Sequence, residues 1–251
     1  MRDIQGYFSI TNTIDIKQGI DISEINDKMS IFISDLMNRN KNLQGIHSAK
    51  GYKGYSFSTP YFKNNQKDGI CKFEIRTFSK EIAMSFLSAL IGYESDFVKV
   101  IQSDIKEYSF GGKITRIESI TPSVCTIHQK MLDHYNMKST HRNTYWVEDM
   151  NEEIIKESIY TNLESKYNKL TGKNINTNNA IKSIEVLNNM PIAVKYNSKK
   201  ATLLGNKFKI EFNNGRDAQI LARMATVEGL LEKNAILGLG YVKPVYEKVV
   251  G

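Results

Sequence analysis

At 251 residues, 41% of them hydrophobic and 24% charged, the chain is long enough for one large domain or two small ones. Its composition is that of a globular protein, neither disordered nor fibrous. Lys and Arg outnumber Asp and Glu by 34 to 27, a formal charge of +7 that favours a polyanionic partner.

No apolar run approaches the roughly 18 residues of a membrane span. The amino terminus MRDIQGYFSI is charged and polar where a leader would be apolar, so a cytoplasmic protein without a membrane partner is expected. The two cysteines, Cys71 and Cys125, lie far apart with no CxxC pair and read as buried free thiols.

In YFSITNTIDI, Phe8, Ile10, Ile14 and Ile16 fall on alternate positions, the period of a strand with one buried face. DISEINDKMSIFISDLMNR then repeats Ile25, Met29, Phe32, Leu36 and Met37 at helical spacing, with Asp21 and Glu24 in capping-box positions. GYKGYSFST and GICKFEIRTF read as two strands joined by the polar turn FKNNQKDG. In the second, Cys71, Phe73 and Ile75 alternate with Lys72, Glu74 and Arg76, so one face is expected to be wet. SKEIAMSFLSALIG predicts a short helix with Ser79 as N-cap and Gly92 as its stop. DFVKVIQSDI and KITRIESI read as further strand. To residue 118 the order is therefore β, α, β, β, α, β, the split βαβ pattern of a ferredoxin-like fold.

The second half has the same organisation without a residue-level repeat. SITPSVCTI reads as a strand, and EEIIKESIYTNLESKYNKLTG as a long helix with Ile155, Ile159, Leu163 and Leu170 inward and Gly172 at its end. Two or three strands follow in IKSIEVL, IAVKYN and KFKIEF, then a helix through RDAQILARMATVE and a closing strand in GLGYVKPVYE. The expected fold is α+β: two tandem ferredoxin-like, or RRM-like, βαββαβ modules at 1-118 and 119-251, with a carboxy-terminal glycine-rich loop.

Two segments carry chemistry. GIHSAKGYKGYSFS, residues 45 to 58, sets His47 near Lys50 and Lys53 on an expected loop between a helix and a strand. Histidine suits proton transfer near neutral pH, and lysine suits stabilisation of a charge-rich transition state. A solvated surface also carries such residues. EGLLEKNAILGLGYVKP, residues 228 to 244, offers glycines whose backbone N–H groups can face a phosphodiester, with Lys233 to add charge. An ordinary helix cap followed by a glycine-tolerant strand would look the same. His128, His134 and His141 with Cys125 match no standard zinc spacing, so no metal site is expected, and Trp146 reads as core. The absence of a Walker loop, of GxGxxG after a strand and of GxSxG gives nucleotide hydrolysis and serine hydrolase chemistry no foothold.

Together, GIHSAKGYKGYSFSTPYF, the helix in NTYWVEDMNEEIIKESIYTNLESKYNKLTGK with its Asn-Leu and Lys-Tyr pairs, and GLLEKNAILGLGYV resemble the CRISPR-associated endoribonucleases that process precursor guide RNA. These are the sixth of the named Cas proteins, in the RAMP superfamily. The likeness spans nearly the whole chain. It implies metal-independent cleavage of CRISPR repeat RNA, with 2′-hydroxyl attack leaving 5′-hydroxyl and 2′,3′-cyclic phosphate ends and no cofactor. His47 and Lys53 match the catalytic motif; Lys50, Arg76, Lys233, Asn234 and Lys243 are the expected RNA-binding residues. The other reading of the same likeness is a non-catalytic RNA-binding subunit of a CRISPR ribonucleoprotein. The implied partners are repeat RNA and a Cascade-type effector complex, with monomer and dimer both open. Three departures stand out: Leu231 replaces a usual loop glycine, the loop is one residue longer, and Phe32 stands where some members carry a tyrosine.

Overall fold

In the computed structural model, residues 4–17, 22–62, 69–137, 144–148, 150–177, 179–196 and 200–247 are described. The first half runs β1 (Gly6–Ile16), a 3-10 turn (Ile22–Glu24), α1 (Ile25–Arg39), α2 (Lys41–Ser48), β2 (Ser56–Phe57), β3 (Tyr61–Phe62), β4 (Ile70–Thr77), α3 (Lys80–Leu90) and β5 (Val98–Ser109). The second runs β6 (Ile114–Ser119), β7 (Thr126–Ile127), α4 (Gln129–His134), β8 (Thr144–Tyr145), α5 (Glu152–Thr171), β9 (Ile181–Val186), β10 (Ile192–Tyr196), β11 (Ala201–Gly205), β12 (Phe208–Phe212), α6 (Arg216–Glu228), α7 (Asn234–Leu237) and β13 (Val242–Tyr246).

The alternation in β1 and β4 does what a period of two demands: Ile10, Ile14, Cys71, Phe73 and Ile75 all point to one face. Antiparallel pairing in the order β2-β4-β1-β5 aligns those residues, with β3 also on β4. The apolar stripes of α1 and α3 cover them, bringing Met29, Phe32, Leu36 and Phe86 into one core. Each such side chain, fully buried, contributes about 1.5–3 kcal/mol. Ser79 caps α3 as expected, its hydroxyl accepting from the Ile82 N–H at 3.2 Å.

A second antiparallel sheet, β13-β6-β12-β9, packs against α5 and α6 around Ile117, Ile159, Leu163, Ile210 and Leu221. Gly172, left-handed at φ 72°, ends α5 where expected. The β10–β11 hairpin stands apart from this sheet and reaches α1.

Several expectations need correction. KITRIESI is not the last strand of the first half; as β6 it pairs with β12 and β13 in the second sheet. Beyond Ser119, which ends β6, SITPSVCTI supplies only the two-residue β7; Ser123 and Val124 make isolated bridges to Asn206 and Glu232 instead of extending a sheet. Residues 41–48 form a helix, Asn40 capping it by accepting from the Asn42 N–H at 3.0 Å. Glu24 makes no side-chain cap bond to α1, and Asp21 lies outside the described residues.

Arg76 departs furthest from expectation. The outer face of β4 is covered by α6 and β13, leaving Arg76 only 7% exposed. Its guanidinium forks onto Glu74 at 3.1 and 2.9 Å, and Nη1 donates to the carbonyls of Thr226 at 3.0 Å and Val242 at 2.8 Å. Tyr241 lies under it at 4.3 Å. It joins the two sheets and cannot serve the RNA-binding role expected of it. Burial raises the Glu74 pKa, but the Arg76 charge and hydrogen bonds from Arg76 and Ser9 outweigh that, so Glu74 stays below its ordinary value. Its stabilisation is present above the unfolded carboxylate pKa of about 4.3 and fades as pH falls through the lower folded value. Arg76→Met leaves the half-buried Glu74 carboxylate without its cation, the Ser9 hydroxyl still bonded to it. Urea denaturation at neutral pH should show a loss of about 3–5 kcal/mol, with the gap to wild type narrowing in acid; equal stabilities at neutral pH would refute this role.

Candidate functional site

A cavity of about 330 Å³ opens where residues 51–55, α5 and the Gly229–Gly240 segment meet. Its architecture begins with backbone conformation. Gly229, Gly238 and Gly240 have φ of 76°, 66° and 64°, in the left-handed region that favours glycine. A Cβ on Gly240 would stand 2.0 Å from the Leu230 carbonyl oxygen, and one on Gly238 2.7 Å from the Phe57 ring. Leu231 and Lys233 share the conformation at φ 61° and 63°. Leu231, where the resemblance gave a glycine, thus takes positive φ with a side chain that joins the core.

The first half grips this segment through side chains of one short stretch. Ser56 Oγ donates to the Val227 carbonyl at 2.6 Å and Tyr55 Oη to Ala235 O at 3.0 Å. From α1, Asn26 Nδ2 donates to Leu237 O at 2.8 Å.

Lys53, Lys166, Lys169 and Lys233 line the cavity against Glu228 and Glu232. Lys53 Nζ donates to the carbonyls of Ile46 at 2.9 Å and His47 at 2.7 Å, and also to Ala49 O. It thus caps the last turn of α2, a favourable place for a cation, and burial lowers its pKa. His47 occupies that turn, half-buried, on a helix rather than the expected loop. Lys233 lines the wall with no described residue paired to its ammonium. Lys169 Nζ lies 3.2 Å from where a Gly51 Cβ would stand.

Other expected residues fall elsewhere. Asn234 lines the cavity but is 6% exposed, and its amide is committed: Nδ2 donates to Leu230 O at 3.0 Å and Leu239 O at 2.7 Å, while Oδ1 accepts from Lys166 Nζ at 2.8 Å. It braces the segment and leaves no group for RNA. Lys50 is exposed just beyond α2. Lys243 is exposed on β13, 3.0 Å from Glu118 and outside the cavity. His128 and His134 are exposed and Cys125 is buried, and no metal-holding cluster occurs among the described residues; His141 lies outside them. Burial pushes the Cys71 thiol up to about 12 and Cys125 to about 11, fitting inert thiols. Trp146 is core.

Sequence reasoning gave no role to Lys166, Glu228 or Tyr52. Glu228 is 2% exposed, and burial raises it to about 7. Tyr52, raised by burial and by neighbouring Glu228, lies beside that carboxyl, although neither its hydroxyl nor Glu228 Oε1 has a well-aligned hydrogen bond. The Asn-Leu and Lys-Tyr pairs were the available clue: Asn162 and Lys166 each precede a core residue of α5, Leu163 and Tyr167.

No family model and no curated protein sequence matches the chain. Solved structures do. A RAMP protein described as binding different RNA substrates superposes with TM-score 0.68 at 17% identity, over 95% of this chain and 99% of that one. The fold is thus the mixed α+β fold of RAMP proteins. A Cas6-related protein from Pyrococcus furiosus gives TM-score 0.67 at 16% identity over 97% and 100% of the two chains. A Cas6 product complex gives 0.65 at 14% over 96% and 100%. Within that class it is the Cas6 fold, end to end.

The glycines provide a direct test of the site's architecture. Gly240→Ala should cost at least about 1–2 kcal/mol from the left-handed backbone alone. Gly45→Ala, inside α2 with nothing within 4 Å of the new Cβ, should gain about 0.5–1 kcal/mol. Thermal denaturation of the two variants checks both signs.

Proposed function

We propose that the protein is a metal-independent endoribonuclease that binds CRISPR repeat RNA and cuts it at the cavity between the His47–Lys53 stretch and the glycine-rich loop, Gly229–Gly240. One observation carries the reading: Tyr55 and Ser56, just past Lys53, donate to Ala235 O and Val227 O, 180 and 171 residues further on, and so close residues 51–55 and the glycine-rich loop around one lysine-lined cavity, with His47 on the α2 turn that Lys53 caps, in a chain with the Cas6 fold. The sheet orders support two ferredoxin-like modules: with β2 and β3, both paired to β4, counted as one broken strand, each main sheet runs fourth, first, third, second in its own strands. The boundary then falls at residues 110–113, between β5 and β6, rather than at 118/119.

The chemistry follows from RNA itself. Attack of the 2′-hydroxyl oxygen on the adjacent phosphorus breaks the bond to the 5′-oxygen, leaving a 2′,3′-cyclic phosphate and a 5′-hydroxyl. It requires removal of one proton, delivery of another and positive charge near the phosphorane, and needs no metal. His47 is the proton-transfer group, as base or acid. Lys53, held on the carbonyls of α2, is a fixed cation beside it. Lys233 contributes charge from the opposite wall, while Lys50 and Lys243 act as outer phosphate contacts. Arg76 and Asn234 are assigned structural work only.

A second reading, a non-catalytic RNA-binding subunit, draws on two observations. Lys53 already faces three carbonyls, and Phe32, where some relatives carry a tyrosine, is packed between Phe73 and Tyr93 without a hydroxyl. The two readings separate on a labelled repeat RNA in excess EDTA, beside RNAs lacking single 2′-hydroxyls. The wild type should cut one bond, with protection at one deoxy position. His47→Ala should lose roughly 10²–10⁴ in rate while binding RNA as before. Wild-type binding without cutting would favour the subunit, and undiminished cutting by His47→Ala would remove its catalytic role.

A further inference from the structure

We infer that Lys166 is a positioning residue: from α5 it fixes the backbone of Glu228–Asn234 and so sets Lys233 opposite Lys53 across the cavity. The inference rests on the RNA-cutting reading for its consequence in catalysis, but not for its geometry.

α5 turns Asn162, Ser165, Lys166 and Lys169 toward the cavity, four residues within two turns of one helix face. Lys166 Nζ donates to the carbonyls of Glu228 at 3.2 Å, Gly229 at 2.7 Å and Leu231 at 3.2 Å, and to Asn234 Oδ1 at 2.8 Å. An ammonium has three protons. Four acceptors already share them, so none remains for a phosphate, and any effect of Lys166 on RNA must pass through the segment it holds.

That segment's amides at Leu230, Glu232, Gly238 and Gly240 are backbone-bonded, but its carbonyls are served differently. With Gly229, Leu231 and Lys233 all at positive φ, the carbonyls of Glu228, Gly229, Leu230 and Leu231 leave the α6 ladder without entering another. Lys166 takes three of those carbonyls, and Asn234, oriented by the same ammonium, takes those of Leu230 and Leu239. Lys233 directly precedes Asn234, so its place on the cavity wall depends on this knot. Glu228, whose carbonyl Lys166 takes, shares the cavity lining with Tyr52, the neighbour of Lys53. Burial pushes the Lys166 pKa below its ordinary value, and neighbouring Glu228 opposes the fall. A lysine enclosed among carbonyls at that cost is placed for its hydrogen bonds rather than for solubility.

Lys166→Met and the milder Lys166→Gln test the inference in the full chain by hydrogen exchange, RNA affinity and single-turnover cleavage. Exchange at Leu230, Glu232, Gly238 and Gly240, whose amides are all backbone-bonded, should rise at least about tenfold, as local opening allows. The β1 and β6 amides should be unchanged. RNA affinity should stay at the wild-type value while the cleavage step falls by about 10²-fold, the effect of a displacement near 1 Å. Wild-type exchange in a folded variant would overturn the inference, as would a rate that falls only in proportion to affinity. Where Lys166→Met does not fold, Lys166→Gln carries the same comparison. If the wild type cuts no RNA, the endonuclease reading fails, and exchange alone still decides whether Lys166 holds the segment.

Discussion

Buried carbonyls without a ladder are the constraint on which this molecule turns. From Glu228 to Gly240 the chain leaves α6, reverses through left-handed residues, makes one helical turn and enters β13. Outside that one turn its carbonyls have no regular ladder, and an unmade buried hydrogen bond costs about 1–3 kcal/mol. Donors are therefore imported from distant places: Lys166 from α5, Asn26 from α1 and Tyr55 from beside β2, while Ser56 takes the Val227 carbonyl just before the segment. Because those donors come from both halves, the same bonds that satisfy the segment also join the halves and enclose the cavity.

Charge is arranged on the same principle. The chain's excess of lysine is not spread evenly: four lysines meet at one cavity with only Glu228 and Glu232 to oppose them. Glu232 is partly spent on the Thr126 amide and hydroxyl, at 3.0 and 3.1 Å. Lys53 and Lys166 are alike in being held by carbonyls, yet one caps a helix and the other ties a loop. The +7 charge pointed to a polyanion; only the packing shows where four of the lysines gather.

What could be read from the sequence was whatever depends on local periodicity. The alternation of β1, β4 and β12, the stripes of α1, α3 and α5, and the stops at Gly92 and Gly172 are all local rules, and all appear in the fold. Pairing is not local, so KITRIESI was read as a strand but given to the wrong sheet. Arg76 failed for a related reason: alternation says which face of β4 it occupies, but not that α6 and β13 will cover that face. Asn234 was read as an RNA contact, but its partners sit four and five residues away around a turn that no periodicity describes. Lys166 escaped notice because a lysine on an amphipathic helix ordinarily faces water, and only the fold of a segment 63 residues away reverses that.

The seating of Gly238 on Phe57 has a consequence in time. Phe57 is fully buried and packs in the first core, yet part of its cover is a glycine near the end of the chain. During synthesis the first half leaves the ribosome long before that cover exists, since Ser56 waits 171 residues for Val227 and Asn26 waits 211 for Leu237. Closing such spans costs little more entropy than closing shorter ones, because the penalty grows only with the logarithm of length. The delay is instead an exposure: an aromatic ring and the short β2 edge stay open to other chains until the stretch from Val227 to Gly238 arrives. The cavity and the finished first core are thus completed by the same late event.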